Sequence, residues 1–295
     1  MRTQIQNQQF DEERALYHLQ HTDVIGCQFA GPADGESALK EARDVTVRDC
    51  GFSLRYPLWH VDGFRLQNSR MDEKTRAALW YSRNGEITSC TLGGIKCLRE
   101  CHDITISQCC IQSPEFGWKC SGIQISHSRI EAEYLLLECR DLKADGLHMF
   151  GKYSFQYTEN VHIVNSVLNT KDAFWHSKNV VVEDSEVRGE YLGWFSDGLT
   201  LINCKIIGTQ PLCYCKNLRL INCTMEGTDL SFEYSDVTAD IVGDILSVKN
   251  PKSGTITADS VGEIVREDPV MECTGKVILR QTKSACKPRI APCGR

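Results

Sequence analysis

The segments DVTVRDC (44–50), GFRLQNS (63–69), DITISQC (103–109), GIQISHS (122–128), NVHIVNS (160–166), NVVVEDS (179–185), GLTLINC (198–204) and NLRLINC (217–223) are one pattern written eight times. Each is an Asn, Gly or Asp, then apolar-x-apolar, then two polar residues and a Ser or Cys. The first positions of the apolar pair fall at Val45, Phe64, Gly85, Ile104, Ile123, Leu142, Val161, Val180, Leu199, Leu218 and Val237. Every step is 19 residues except Phe64 to Gly85, which is 21. A degenerate copy precedes them at Thr22–Cys27, and a further one is expected from Ile256. A fixed period of this size sustained along a chain is the signature of a solenoid.

The contents of the repeat decide which solenoid. Apolar-x-apolar rich in Val and Ile is a strand buried on one face. The residue before it is Gly63, Asn84, Asp103, Gly122, Asp141, Asn160, Asn179, Gly198, Asn217 or Asp236. These types tolerate a left-handed backbone, so each coil turns at the same place. A helical repeat needs an i, i+3, i+4 pattern that is not there, and a leucine-rich repeat needs denser leucine. The expected fold is all-β: a right-handed parallel β-helix of about 12 coils, its hand taken from the usual crossover of parallel strands. Ten coils stacked ~4.8 Å apart give a rod of about 50 Å.

The chain reads as one domain in three stretches. Residues 1–43 are a cap and first degenerate coil, with Glu12–Gln20 and Ser37–Arg43 expected as short helices from their composition. Residues 44–260 are the β-helix. Residues 261–295 close it, with Val261–Leu279 as further strands or a hairpin and a Lys/Pro/Cys-rich tail from Gln281 lying on the surface. Solenoid ends depart from the consensus because they must cover an open core.

Composition excludes several function classes. The 295 residues are 41% hydrophobic and 24% charged, with a formal net charge of −6. No basic block is present, so nucleic acid is not an expected partner. The longest apolar runs, such as Tyr134–Leu137, are far too short to cross a membrane. The opening MRTQIQNQQF has no apolar stretch or cleavage signature, and the 16 cysteines are then expected as free thiols in the cytoplasm.

Equivalent positions form columns along the rod, and function is sought there. One column holds Cys50, Ser69, Cys90, Cys109, Ser128, Ser166, Ser185, Cys204 and Cys223. Its small residues suit a core-facing corner, and no paired CxxC knuckle accompanies them, so no metal or other cofactor is expected. A second column, five residues before each strand start, collects all five tryptophans: Trp59, Trp80, Trp118, Trp175 and Trp194. Leu58, Leu79, Leu98, Leu136, Phe155, Phe174 and Leu212 flank it and are the better core candidates. Strand alternation then turns the tryptophans outward, while their size favours burial. Both orientations stay open. Beside them Tyr157, His176, Phe195 and Tyr214 make an unbroken run of rings. Two positions on, charges alternate from Arg140 through Glu159, Lys178 and Asp197 to Lys216, as a solvated charge ladder also does.

The coil pattern resembles the pectin-lyase-like superfamily of single-stranded right-handed β-helices. More closely, FAGPADGESALKEA (29–42), LRYPLWHVD (54–62), RAALWYS (76–82), SPEFGWKC (113–120), GKYSFQY (151–157), TKDAFWHSKNV (170–180) and IIGTQPLCYCKNL (206–218) are similar to segments of an uncharacterised, mainly bacterial family, a domain of unknown function with this fold. The resemblance covers roughly residues 10–260. It implies the fold and carries no established reaction, so no catalytic residue transfers. The wider superfamily includes polysaccharide lyases, polygalacturonases and carbohydrate epimerases. Neither the Ca²⁺-carboxylate cluster with a basic residue of its lyases nor the close aspartates of its hydrolases is clear here.

Two functions compete. The first is a protein that binds or acts on a carbohydrate over the coils starting at 142–199. Glu159, His176, Lys178 and Asp197 are its candidate acid–base residues, and Tyr157, Asp172, Trp175, Glu190, Trp194, Phe195 and Tyr214 its candidate binding residues. Glu159 and Asp197 lie two coils apart in one column, within the ~10 Å that an acid–base pair requires. The second is a non-enzymatic scaffold whose aromatic face binds a protein partner or a second copy of itself. The sequence leaves open whether the protein is an enzyme.

Overall fold

Each coil bends at three left-handed corners, and these set the architecture. The first is the Asn/Asp/Gly column, where Asp103, Asn160 and Gly198 have φ of 56, 57 and 73°. The second follows the strand, at Asn68, Asn165 and Asn203, with φ of 47, 50 and 52°. Asn, Asp and Gly adopt this region at least cost. The third corner is built differently: His60, Tyr81, His176 and Phe195 sit there with φ of 54–60°. A bulky side chain in this region costs about 1–2 kcal/mol, so the stacking along the rod must offset it.

A computed structural model describes residues 2–280 and shows a parallel β-solenoid. Its principal face is fifteen strands, from Thr3–Gln6 through Asp62–Gln67 and Lys178–Glu183 to Lys276–Leu279. That exceeds the dozen coils expected, because the ends are themselves coils. Thr3 pairs in parallel with Thr22, and Thr255 with Lys276. The expected N-terminal helices are absent. Glu12–Gln20 and Ser37–Arg43 stack on each other as successive corners: the amides of Arg14, Leu16 and His18 donate to the carbonyls of Glu36, Ala38 and Lys40 at 2.9 Å. Neighbouring coils take up their backbone groups, so a local helix has nothing to add. Among the described residues the one helix is a 3-10 turn, Glu73–Thr75. Among the described residues no helix is long and apolar enough to cross a membrane. The tail from Gln281 lies outside the described residues.

Register follows the repeat through most of the rod, with Phe64, Gly85 and Ile104 as direct neighbours. Gly85 stands in an apolar column because a Cβ there would lie 2.2 Å from the Phe64 ring, which already fills that space. Near the end the period shortens. Val237 pairs with Gly254, so the last consensus copy begins there rather than at Ile256.

The core is one continuous cluster in which Leu58, Leu79, Leu98, Leu136, Phe155, Phe174 and Leu212 are buried. The Ser/Cys column also faces inward and forms a polar seam. The amides of Cys50, Cys109 and Ser166 donate to the hydroxyls of Ser69, Ser128 and Ser185 on the next coil at 3.1, 3.0 and 3.0 Å. Those hydroxyls in turn donate to carbonyls two residues back in their own coil, at 2.8, 2.8 and 2.6 Å. A small side chain that both accepts and donates satisfies each buried corner amide.

Candidate functional site

The third corner places two outward columns side by side, separated by one buried residue. The corner column runs Glu41, His60, Tyr81, Glu100, Lys119, Glu138, Tyr157, His176, Phe195, Tyr214. The second runs Arg43, Asp62, Arg83, His102, Ser121, Arg140, Glu159, Lys178, Asp197, in parallel register throughout. They form the two sides of an outward-facing strip along the rod, here called the groove.

The candidate residues from the sequence divide between this groove and the corner behind it. Tyr157, His176, Phe195 and Tyr214 are stacked, with centroids 5.0, 4.9 and 4.8 Å apart and planes within 13°. Rings stacked this way cover one another's faces and present edges to solvent. Tyr157 stays 55% exposed and Phe195 43%. Burial, with Glu233 nearby, pushes the Tyr214 phenol up. Glu159, Lys178 and Asp197 occupy adjacent rungs beside these rings. They form no direct ion pairs with one another; Asp197 accepts from the Asn217 amide at 2.8 Å.

Trp175 and Trp194 stack at 5.4 Å and 4° but lie sideways over the corner, half-buried, pointing neither into the core nor freely outward. Each indole N–H donates to a backbone carbonyl of the next coil, Trp175 to Tyr191 at 2.6 Å and Trp194 to Gln210 at 2.8 Å. Gln156, in the same column, donates to the Asp172 carbonyl at 2.9 Å. At these three positions the column clasps one coil to the next, whereas the indole N–H groups of Trp59, Trp80 and Trp118 are buried without an acceptor. Asp172 and Glu190 stand apart from the ring groove. Asp172 is buried with one carboxylate oxygen unpartnered, and burial pushes its carboxyl up. Glu190 pairs with Lys171 at 2.9 Å.

Nearer the N-terminus the same groove opens into a cleft of about 470 Å³. Glu41, His60, Tyr81 and Glu100 line one side, Arg43, Asp62, Arg83 and His102 the other, over a floor at Val61. His60 and Tyr81 stack at 4.9 Å. Asp62 accepts from Asn84 at 2.8 Å and Arg83 at 2.9 Å, and the Asn84 amide, with Arg83, holds its carboxyl below the usual range despite partial burial. Tyr17 donates to Glu41 at 3.0 Å, Arg99 to Glu100 at 3.2 Å, and His102 shares a hydrogen bond with Ser121 at 2.8 Å. Carboxylates, guanidiniums, imidazoles and a phenol thus converge on one open space, a set suited to a ligand rich in hydroxyls. Sequence reasoning passed over this stretch for the unbroken ring run. The signal was present: here the corner column holds only two rings, His60 and Tyr81, between Glu41 and Glu100, so the ladder does not close.

Among solved structures the chain is similar to bacteriophage CBA120 tailspike protein 3, at a TM-score of 0.40 and 9% identity over 94% of this chain and 56% of that one. It is similar to the catalytic domain of a GH87 alpha-1,3-glucanase at 0.35 and 8%, over 94% and 64%. The periplasmic alginate epimerase AlgG follows at 0.30 and 9%, over 88% and 75%. The chain therefore spans less than two thirds of the first two, and at these scores nothing of what they bind or cut carries over. No curated protein matches the chain. A family model matches residues 3–279, and the chain belongs to that family, described as a protein of unknown function (DUF3737).

Proposed function

We propose that the groove binds a carbohydrate, with one sugar unit seated in the cleft at His60, Asp62, Tyr81 and Arg83 and a longer chain running on toward Tyr157–Tyr214. The observation that carries this is the convergence of hydroxyl-binding groups on an open cleft of about 470 Å³, between the same two columns that carry the exposed rings Tyr157 and Phe195 farther along the rod. Sugar sites combine such polar groups with aromatic walls. Glu159, His176, Lys178 and Asp197 then serve as the extended part of the site. Glu159 and Asp197, two rungs or ~10 Å apart, are the pair to examine for acid–base chemistry. The buried free thiols, Cys97 and Cys101 among them, support a cytoplasmic address.

An oligosaccharide array followed by calorimetry tests the proposal. His60→Ala should weaken binding of short and long ligands by about fivefold or more, the loss expected from one hydrogen bond of ~1 kcal/mol. His176→Ala should weaken only the longer ones. No binding across a broad array would refute it. One observation favours a scaffold instead: behind the ring run Tyr157–Tyr214 the indole N–H groups of Trp175 and Trp194 are already satisfied by backbone carbonyls of the solenoid. A stable dimer by light scattering, protecting Tyr157 and Phe195, would select that reading.

A further inference from the structure

The 21-residue coil between Phe64 and Gly85 holds a second cleft, of about 420 Å³, with a lining unlike the groove's. The extra residues form the 3-10 turn Glu73–Thr75, which ends at Arg76 with φ 55° and ψ −101°, outside the usual regions for a side-chain-bearing residue. Such a conformation is strained and persists only where its surroundings hold it. Here they do. The Lys96 amide donates to the Arg76 carbonyl at 3.0 Å, and Gly94 packs so close that a Cβ would lie 2.5 Å from that oxygen.

Tyr56, Trp80 and Ile95 form the apolar wall of this cleft, and Arg76, Lys96 and Arg99 its cationic side. Tyr56 and Trp80 meet at 6.0 Å, and Ile95 is 49% exposed. The Arg99 guanidinium lies 5.7 and 5.6 Å from the rings of Trp80 and Trp118, replacing an indole in the column, and its Nε is 3.2 Å from Glu100. Lys96 is 3.5 Å from Glu115, the one carboxylate of the lining. Arg76 has no ion-pair partner among the described residues, and its side chain is exposed. In a chain of net charge −6, an apolar wall facing three cations, one of them unpaired, is a local reversal of sign.

We propose that this cleft binds an oxyanion carried on a ring with one apolar face, a sugar acid or a sugar phosphate. The ring lies against Trp80 and Ile95, and the carboxylate or phosphate meets Arg76 and Lys96. Both ligand sources share that chemistry. The site is separate from the groove and does not depend on the groove's binding a glycan.

Calorimetry with glucuronate, glucose 6-phosphate, inorganic phosphate and glucose tests it. The two charged sugars, or one of them, should bind in the millimolar range or tighter, and the one that binds identifies the source. Glucose and inorganic phosphate should bind at least about tenfold more weakly, since each lacks one half of the recognition. Arg76→Gln should weaken the charged sugar about tenfold or more, and Lys96→Met likewise, with unchanged far-ultraviolet circular dichroism. If Arg76→Gln does not fold, Lys96→Met decides. Equal binding of glucose, unchanged affinity in the folded variants, or no binding by either charged sugar would overturn the proposal. His60→Ala should leave this affinity unaltered, and a matching loss there would place the ligand in the groove and also overturn it.

Discussion

Replacing Trp175 by Phe tests whether the tryptophan column clasps the coils or awaits a ligand. Trp175 and Trp80 occupy the same column and stack on like neighbours, Trp175 on Trp194 at 5.4 Å and Trp80 on Trp59 at 5.5 Å. Trp80 also meets Tyr56 and the Arg99 guanidinium, contacts that a Phe ring can keep, so the difference that decides the test is the indole N–H. The Trp175 N–H meets the Tyr191 carbonyl at 2.6 Å, whereas the Trp80 N–H is buried without an acceptor. Trp→Phe at either site removes part of a half-buried ring, worth about 0.5–1 kcal/mol at ~25 cal/mol per Å². At Trp175 it also removes a hydrogen bond and leaves a carbonyl short of its donor, a further ~1–2 kcal/mol. Trp175→Phe should therefore lose about 1–2 kcal/mol more than Trp80→Phe. Equilibrium urea unfolding of both variants measures this, provided that fluorescence and circular dichroism give coincident transitions, since solenoids can unfold in parts. Equal losses, or a larger loss at Trp80, would refute the clasp.

Three further outcomes follow from the charges and thiols. Because burial raises the Asp172 carboxyl, its ionised form costs stability at neutral pH, and that cost fades as pH falls through the raised value. Asp172→Asn, which keeps a side chain at ease with the local φ of 53°, should raise Tm at pH 7 by about 2 °C and give no gain in acid. Asp62 has the opposite sign. Its lowered carboxyl contributes stability above the ordinary range near pH ~4 and loses it as pH falls through the lowered value, so Asp62→Asn should flatten that part of the Tm–pH curve. Burial pushes the Cys50 and Cys215 thiols up to about 11, while Cys110 is exposed, so a thiol reagent followed by peptide mass spectrometry should label Cys110 in the native protein and reach the other two only on unfolding.

Two of the three corners were legible because their residue types announce a left-handed backbone: Asn, Asp and Gly before the strand, and polar residues such as Asn68 and Asn165 after it. The third was hidden, since nothing in Tyr157, His176 or Phe195 signals positive φ. That one gap is why the orientation of the tryptophans stayed open. In-and-out alternation holds for extended backbone, but Phe174 and His176 have φ of 62 and 54°, so the intervening Trp175 turns sideways. The inward Leu58–Leu212 column was legible from size and apolarity alone. The supposed helices at 12–20 and 37–43 failed because composition reports local preference, and these segments are decided by neighbouring coils such as Leu39, whose amide donates to the Pro57 carbonyl at 2.9 Å. The clefts were not legible as volumes. The 21-residue step nevertheless marked the coil where one of them opens.

A closed ring ladder and a deep cleft exclude each other in this fold: the ladder leaves a ligand an edge-lined surface, and only a break in it leaves a pocket. From Tyr157 to Tyr214 every rung carries a ring, the rings close at 4.8–5.0 Å, and only their edges remain. From Glu41 to Glu100 the stack is two rings long, His60 on Tyr81, bounded by carboxylates that reach away to Tyr17 and Arg99. The cleft exists because the ladder stops. Glu100→Tyr tests this directly, since φ at Glu100 is 49° and Tyr81 already holds a phenol ring at the equivalent position with φ 54°. A new ring should stack on Tyr81 at ~5 Å, adding about 0.5–1.5 kcal/mol of aromatic contact against the loss of the Arg99 pair. The variant should thus be no less stable than the parent, yet its cleft should be filled and any ligand seated between His60 and Arg83 lost. A variant that folds, extends the stack and still binds that ligand would show that the open cleft is not what recognises it.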